Sequence, residues 1–216
     1  MILKKNDKPL RLIGYPQSLL TMEGVYFIQK EYKGDFASIT PAEFLALENK
    51  DDYQYLAMFS LDRDERKHIL NVLDNEQLDC FTFIDDYVII YKDLMNMPWD
   101  EAIKVVGYDC FLAPMSTILL DAKIGNHCLI EAYCLISHYS ELKDNVFLHS
   151  GTMIAGRTTI GKHCMLNFKS AVLNKITICD DVEIGAISTV TKDITQSGRY
   201  VGSIARYVGP LLPFEG

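Results

Sequence analysis

Nothing in this 216-residue chain reads as a membrane span, because no run of about eighteen uninterrupted apolar residues occurs. The opening segment, Met1 to Lys5, lacks the long apolar stretch and small-residue cleavage site of a secretory signal, so a cytoplasmic location is expected. Basic runs and arginine-rich patches are also missing. With 29 Asp plus Glu against 21 Lys plus Arg the formal charge is −8, which argues against nucleic acid as a partner. No C-x-x-C pair is present to hold zinc or run redox chemistry. His127, His138, His149 and His163 are eleven, eleven and fourteen residues apart, so no close pair is set for a zinc ion. Neither a metal nor a disulfide is expected.

What the chain does have is a period of six. Ile, Leu or Val stands at every sixth position from Ile118 through Ile136, Leu148, Ile154 and Val172 to Val190, and Leu112 and Val106 extend the run backwards. Thirteen such hits in one register arise by chance on the order of once in ten million, so the period is structural. It fits neither a helix, near 3.6, nor an alternating strand, at two. It fits a short strand followed by a turn, three of which close a triangular coil of eighteen residues with the aliphatic buried inside. Four residues after each aliphatic comes a mostly small side chain, among them Ser116, Ala122, Cys128, Cys134, Ser140, Thr152, Thr158 and Cys164, which marks the tight inner corners. Cys128, Cys134, Cys164 and, if the register extends back, Cys110 are thereby small core residues rather than ligands.

The first hundred residues alternate short apolar runs with helical spacing. Strands are predicted at Leu10 to Ile13, Phe36 to Ile39, Tyr55 to Ser60 and Cys80 to Ile84, and helices at Leu19 to Tyr32, after Thr40, and at Asp62 to Leu73. Thr40-Pro41-Ala42-Glu43 has the form of a capping box with proline at N1. The whole reads as a small N-terminal α/β (Rossmann-like) domain with its connector over 1–100, then a parallel β-helix over 101–196; Asp85 to Lys104 spans the join, with the boundary near residue 100. A C-terminal cap over 197–216 follows, whose Pro210, Pro213 and glycines argue against regular structure.

The hexad frame sorts the histidines. His127 and His163 stand three residues after an aliphatic, on outward turns, and His68 lies on the charged helix, so all three are expected to be solvated. His138, two residues after Ile136, points outward near a corner. A neutral imidazole with an ordinary pKa of about 6.5 takes a proton from an amine or hydroxyl near neutral pH. Gly156 stands eighteen residues on, one coil above, where a missing side chain leaves the backbone N–H open to a ligand carbonyl. A base and an oxyanion donor on adjacent coils suit acyl transfer. The plainer reading is an exposed corner histidine.

Three segments carry a resemblance: Ile136-Ser137-His138-Tyr139-Ser140, the stretch Phe147-Leu148-His149-Ser150-Gly151-Thr152-Met153-Ile154-Ala155-Gly156, and Tyr200-Val201-Gly202-Ser203-Ile204-Ala205-Arg206. With them the chain resembles the left-handed β-helix (hexapeptide-repeat) acyltransferases of bacterial surface-sugar synthesis. These are the sialic-acid O-acetyltransferases and the N-acetyltransferases of nucleotide-linked amino sugars. The resemblance implies a homotrimer with acetyl-CoA as co-substrate in the groove between neighbouring coils, and a left-handed coil, against the usual right-handed crossover. It implies His138 as general base and the Gly156 N–H on the thioester carbonyl. Ala155 and Asn174 would lie beside the coenzyme, and Gly202, Ala205 and Arg206 would line it. Gly14, Tyr15 and His149 are the acceptor-binding candidates. Transfer would be direct, since cysteines turned into the prism are badly placed as nucleophiles.

The chain departs from that family's pattern in three places. Tyr139 stands where many relatives have an acidic residue that orients the catalytic histidine, and Glu131 is the candidate substitute. Ile204 stands where the coenzyme-binding tail normally has proline. The turn Gly14-Tyr15-Pro16-Gln17-Ser18-Leu19 has one glycine where sugar-nucleotide binders have several, a poor phosphate cradle. The coil has no insertion between Ile118 and Val190, so acceptor choice is expected to lie in the N-terminal domain. The reading that follows is an acetyl-CoA-dependent sugar N- or O-acetyltransferase. A non-catalytic trimeric scaffold is the alternative, and a nucleotidyltransferase is disfavoured by the short front domain.

Overall fold

The computed structural model describes residues 2–3, 8–15, 26, 28–29, 32, 34–57, 63–84, 88–90 and 103–211. The chain divides into two compact units, Met1–Ile84 with Pro213–Gly216, and Asp85–Leu212. The division falls ahead of the boundary near residue 100 read from composition, because Ile89–Ile90 already pairs in parallel with Thr117–Ile118 of the coil.

The first unit holds β1 (Ile2–Leu3), β2 (Leu10–Ile13), β3 (Phe36–Ile39), β4 (Gln54–Ala57), β5 (Asp79–Cys80) and β6 (Thr82–Ile84), with helices α1 (Pro41–Ala46) and α2 (Arg63–Asn75). Strands β2 to β5 form a parallel sheet in the order β3-β2-β4-β5, and β1 pairs antiparallel with β6. The capping box forms as predicted: the Glu43 N–H donates to Thr40 Oγ1 at 3.2 Å and the Thr40 N–H to Glu43 Oε2 at 2.7 Å. The apolar stripe of α2, Ile69, Leu70 and Leu73, packs with Ile13, Phe44 and Tyr55 in the core of this unit. Most of the segments Leu19 to Tyr32 and Asp85 to Lys104 lies outside the described residues.

In the second unit each two-residue strand pairs in parallel with the one eighteen residues later. One face stacks Thr117, Leu135, Met153, Ala171 and Thr189. The next stacks Lys123, Glu141, Thr159 and Thr177, and the third Phe111, Leu129, Phe147, Met165 and Glu183. This is the three-sided parallel coil predicted from the period. The aliphatics from Ile118 to Val190 are buried, as are the small corner residues, with Ser116, Ala122, Thr152, Thr158 and Ser170 at 0% exposure. Burying each such aliphatic contributes about 2 kcal/mol, so the stack of equivalent side chains is the main cohesive force of the coil.

The third residue after each aliphatic up to Ile184 takes a left-handed backbone: His127, Tyr139, Arg157 and His163 all have φ of 58 or 59, and Gly151 has 75. Its N–H donates to the carbonyl at the same corner one coil below, as Tyr139 does to Leu120 and Arg157 to His138, both at 2.9 Å. These ladder bonds offset the strain of a left-handed L-residue.

Two expectations are corrected here. His127 is not solvated: it is buried, with Nδ1 2.7 Å from Asp109 Oδ2, and His163 Nδ1 lies 2.8 Å from Asn145 Nδ2. Left-handed side chains at one corner stack eighteen residues apart, so the buried His127 and the half-buried His163 both meet polar partners from the adjacent coil. The tail is also regular: Gly198–Val201 adds in parallel to Val182–Ile184, and Arg206–Gly209 folds back on it as a hairpin.

Candidate active site

His138 and Gly156 occupy the same corner on consecutive coils, the corner that joins the Leu135 face to the Glu141 face. The imidazole lies over the glycine. A Cβ built on Gly156 would stand 2.5 Å from His138 Nε2 and 2.8 Å from Cε1, closer than any side chain tolerates. Equivalent N–H groups elsewhere on the coil are engaged: Asp144 and Asp180 carboxylates accept from Asn126 and Lys162 at 3.0 and 2.7 Å, and Glu131 accepts from Ser150 at 2.8 Å. The Gly156 N–H meets no acceptor among the described residues. The corner therefore presents an amide donor with no acceptor among the described residues beside an imidazole, and any side chain at 156 would displace the ring from this position.

On its far side His138 Nδ1 is 3.1 Å from Ser137 Oγ. With Nδ1–H donating to that hydroxyl, the Nε2 lone pair is the one that faces Gly156. The Tyr139 ring meets the imidazole edge to face, centroids 5.7 Å apart and planes at 89°, and Arg157 places its guanidinium carbon 5.4 Å from the Tyr139 ring centre. Asn174 is exposed one coil above Gly156, and Ala155 precedes it, its carbonyl accepting from Ser140 Oγ at 2.9 Å. His138, Tyr139, Ala155, Gly156 and Asn174 thus come together, with Ser137 and Arg157, which the sequence reading passed over. Reading the column Tyr139, Arg157, Lys175 at eighteen-residue spacing would have found Arg157.

The hairpin residues sit at the far end of the Leu135 face. Ala205 N–H donates to Thr189 O at 2.8 Å, Thr189 N–H to Gly202 O at 3.3 Å, and Gly202 N–H to Ser188 Oγ at 2.9 Å. Gly202 has φ 117, a conformation that favours glycine. Thr189 is three coils beyond Leu135, roughly 14 Å at the usual strand spacing. Arg206 is exposed in this hairpin.

Glu131 does not orient His138, contrary to expectation. Its carboxylate accepts from the Ser150 N–H and Oγ, both at 2.8 Å, and lies 3.3 Å from His149 Nδ1 without hydrogen-bond geometry. Burial alone would push the Glu131 pKa up, but the neighbouring imidazole and the Ser150 donors hold it below the ordinary carboxylate value. His149 is stacked between Phe147 and Phe168, with centroids at 4.0 and 4.7 Å. Glu131 and His149 belong to the Phe147 face, the side of the triangle opposite the His138 corner, so within one chain they are separate from it. In the first unit, Gly14 donates its N–H to Ile39 O at 2.9 Å and the exposed Tyr15 donates its hydroxyl to Glu65 at 3.0 Å. The Gly14 amide is therefore already used within that unit.

The cysteines are where the hexads put them. Burial pushes the thiols of Cys134 and Cys164 up to about 12, and Cys110, buried against Cys128, is also pushed well up. Thiols at such values are inert as nucleophiles at neutral pH.

No protein-family model matches the chain. Among curated proteins, it is 30% identical over 101 residues to the UDP-3-O-acylglucosamine N-acyltransferases of Bordetella pertussis and Bordetella avium. The match covers 45% of this chain and spans only 28% of the length of those relatives. Among solved structures, a mutant of perosamine N-acetyltransferase from Caulobacter crescentus, in complex with CoA and GDP-perosamine, superposes with a TM-score of 0.77 at 14% identity, over 94% of this chain and 98% of that one. The acetyltransferase domain of PglB from Neisseria gonorrhoeae, in complex with acetyl coenzyme A, gives 0.72 at 12% identity, over 94% and 100%. WeeI from Acinetobacter baumannii gives 0.60 at 14%, over 93% and 100%. The chain has the fold of sugar acetyltransferases. At these identities the likeness is one of fold, and it agrees with the resemblance carried by the His138 and Gly156 segments. Among the described residues no helix is long and apolar enough to cross a membrane.

Proposed function

We propose that this protein transfers an acetyl group from acetyl-CoA to an amino or hydroxyl group of an activated sugar, nucleotide-linked or sialic-acid-like, with His138 as general base. The observation that carries this reading is the imidazole stacked over the open Gly156 amide. Acetyl-CoA supplies the activated acyl group when bound. The Gly156 N–H is aimed to hold the thioester oxygen and to stabilise the negative charge that develops on it. His138 Nε2 takes the proton from the acceptor as its nitrogen or oxygen attacks the carbonyl carbon. The carbon–sulfur bond then breaks, and the imidazolium returns the proton to the departing thiolate. Ser137 holds the tautomer that this sequence of events needs. Tyr139 packs the ring but supplies no carboxylate.

The tail hairpin supports a coenzyme lying along the Leu135 face, because three coils match the length of an extended pantetheine arm, roughly 15 Å by standard chain dimensions. A trimer is supported by a stripe of apolar side chains on the corner after the Phe147 face. Met115, Tyr133 and Ile187 are 50%, 67% and 73% exposed there, with Gly151 and Lys169 between Tyr133 and Ile187, and Phe168 adjoins Lys169. The coil is read as left-handed, and the first unit as the acceptor-side domain.

The test is acetyl transfer by H138A. Turnover is expected to fall at least a hundredfold with the oligomer and acetyl-CoA affinity retained. Wild-type turnover in H138A would remove the assigned base, and absence of acetyl-CoA binding to the wild-type protein would favour the scaffold reading.

A further inference from the structure

Arg157 follows Gly156 directly and shares its corner. Its backbone is fixed by the left-handed φ of 59 and by the N–H donated to His138 O, and its guanidinium lies over the Tyr139 ring. No carboxylate among the described residues pairs with it. Lys175 occupies the same place one coil above, exposed and likewise without an ion pair among the described residues, and eighteen residues further on the chain has Asp193, whose carboxylate accepts from the Thr177 N–H at 2.8 Å. In a chain of net charge −8, Arg157 and Lys175 are two cations on consecutive coils, without an ion pair among the described residues, that begin at the reacting corner.

Tyr139 explains why that charge stays available. A carboxylate at 139 would pair with Arg157 and cancel it. An aromatic face holds a guanidinium through its quadrupole and leaves the N–H fork free for an incoming carboxylate or phosphate. We propose that Arg157, held on Tyr139, binds an anionic group carried by the acetyl acceptor, so that the protein selects acceptors with a carboxylate or phosphate close to the amine or hydroxyl they present.

This rests on the acetyltransferase reading and deepens it. The anion is assigned to the acceptor because Arg157 adjoins the amide that would hold the thioester oxygen, whereas the coenzyme's own phosphates are an extended pantetheine arm away, roughly 15 Å. The same charge also disfavours an acceptor that arrives as an ammonium ion with no anion beside it.

The experiment uses amino or hydroxyl sugars in matched pairs, one member carrying a free carboxylate or phosphate and the other its neutral counterpart, the methyl ester of the carboxylate or the dimethyl ester of the phosphate. Each pair is assayed with acetyl-CoA and with S-acetylpantetheine, which lacks the phosphates. In the wild-type protein kcat/KM is expected to favour the charged member, with a preference that shrinks as salt is raised. In R157Q that preference should fall at least tenfold, and in R157K it should return in part, since lysine keeps the charge but not the fork.

An unchanged preference in R157Q overturns the proposal. So does an R157Q defect confined to acetyl-CoA and missing with S-acetylpantetheine, which would assign the anion to the coenzyme. Transfer to neutral members alone, or acetyl-CoA binding with no transfer to any charged member, overturns the proposal while leaving the acetyltransferase reading in place. Absence of both transfer and acetyl-CoA binding overturns the two together.

Discussion

Gly156 is the floor on which His138 rests: the imidazole fills the space that any side chain at 156 would need, with Nε2 only 2.5 Å from the position of a Cβ. The backbone at 156 sits in an ordinary region, so conformation does not call for glycine there; under the proposed mechanism what the glycine supplies is the space that the imidazole fills.

Gly156→Ala is therefore expected to push the imidazole outward and crowd the amide. Turnover should fall by a factor of at least a hundred, comparable to losing an oxyanion donor. The thermal midpoint should stay within a few degrees, because His138 is exposed and free to move. Steady-state kinetics with a melting curve checks this, and a G156A variant of wild-type activity would detach the amide from the mechanism.

Cys134 and Cys164 should resist alkylation in the native protein at pH 8, because burial holds their thiols near pKa 12. Iodoacetamide labelling read by mass spectrometry is expected to modify both only after denaturation. Cys134→Ala is expected to keep transfer activity, and loss of activity with the fold intact would point to a covalent route.

Glu131 links pH to stability. Its folded pKa lies below the unfolded value of about 4.3, so its contribution is fully present above that value and is lost as pH falls through the folded one. Glu131→Gln removes the charged acceptor from Ser150 and the negative charge beside His149 and should cost roughly 1–2 kcal/mol at pH 7, with the deficit shrinking as pH falls through the lowered pKa of the folded state. Denaturant titrations across that range measure it. A deficit independent of pH would mean that the carboxylate's charge contributes nothing.

The coil was legible because burial repeats with the chain: a buried aliphatic every sixth residue leaves a period that survives any choice of outward residue. His138 and Gly156 could be paired from sequence because eighteen residues is one full coil. The left-handed corner position was not legible: Asp109 and His127, and Asn145 and His163, are also one coil apart, but the hexad alone marks that position only as an outward turn and does not show that its backbone sets the two side chains against each other. Glu131 was assigned to the wrong imidazole because hexad position gives the coil but not the face across which a long side chain bends. The hairpin was missed because Gly198, Gly202 and Gly209 read as breakers, whereas their positive φ values of 134, 117 and 155 belong to the ends of its strands and its turn. In the first unit the capping box was explicit in four residues, and the parallel sheet followed from strands alternating with helices.

A crystal structure of the protein with acetyl-CoA tests the central claim most directly. The thioester oxygen is expected about 3 Å from the Gly156 nitrogen, with His138 Nε2 open toward the carbonyl carbon's free face. A coenzyme whose thioester lies on another face of the coil, with the Gly156 amide turned to solvent, would contradict it.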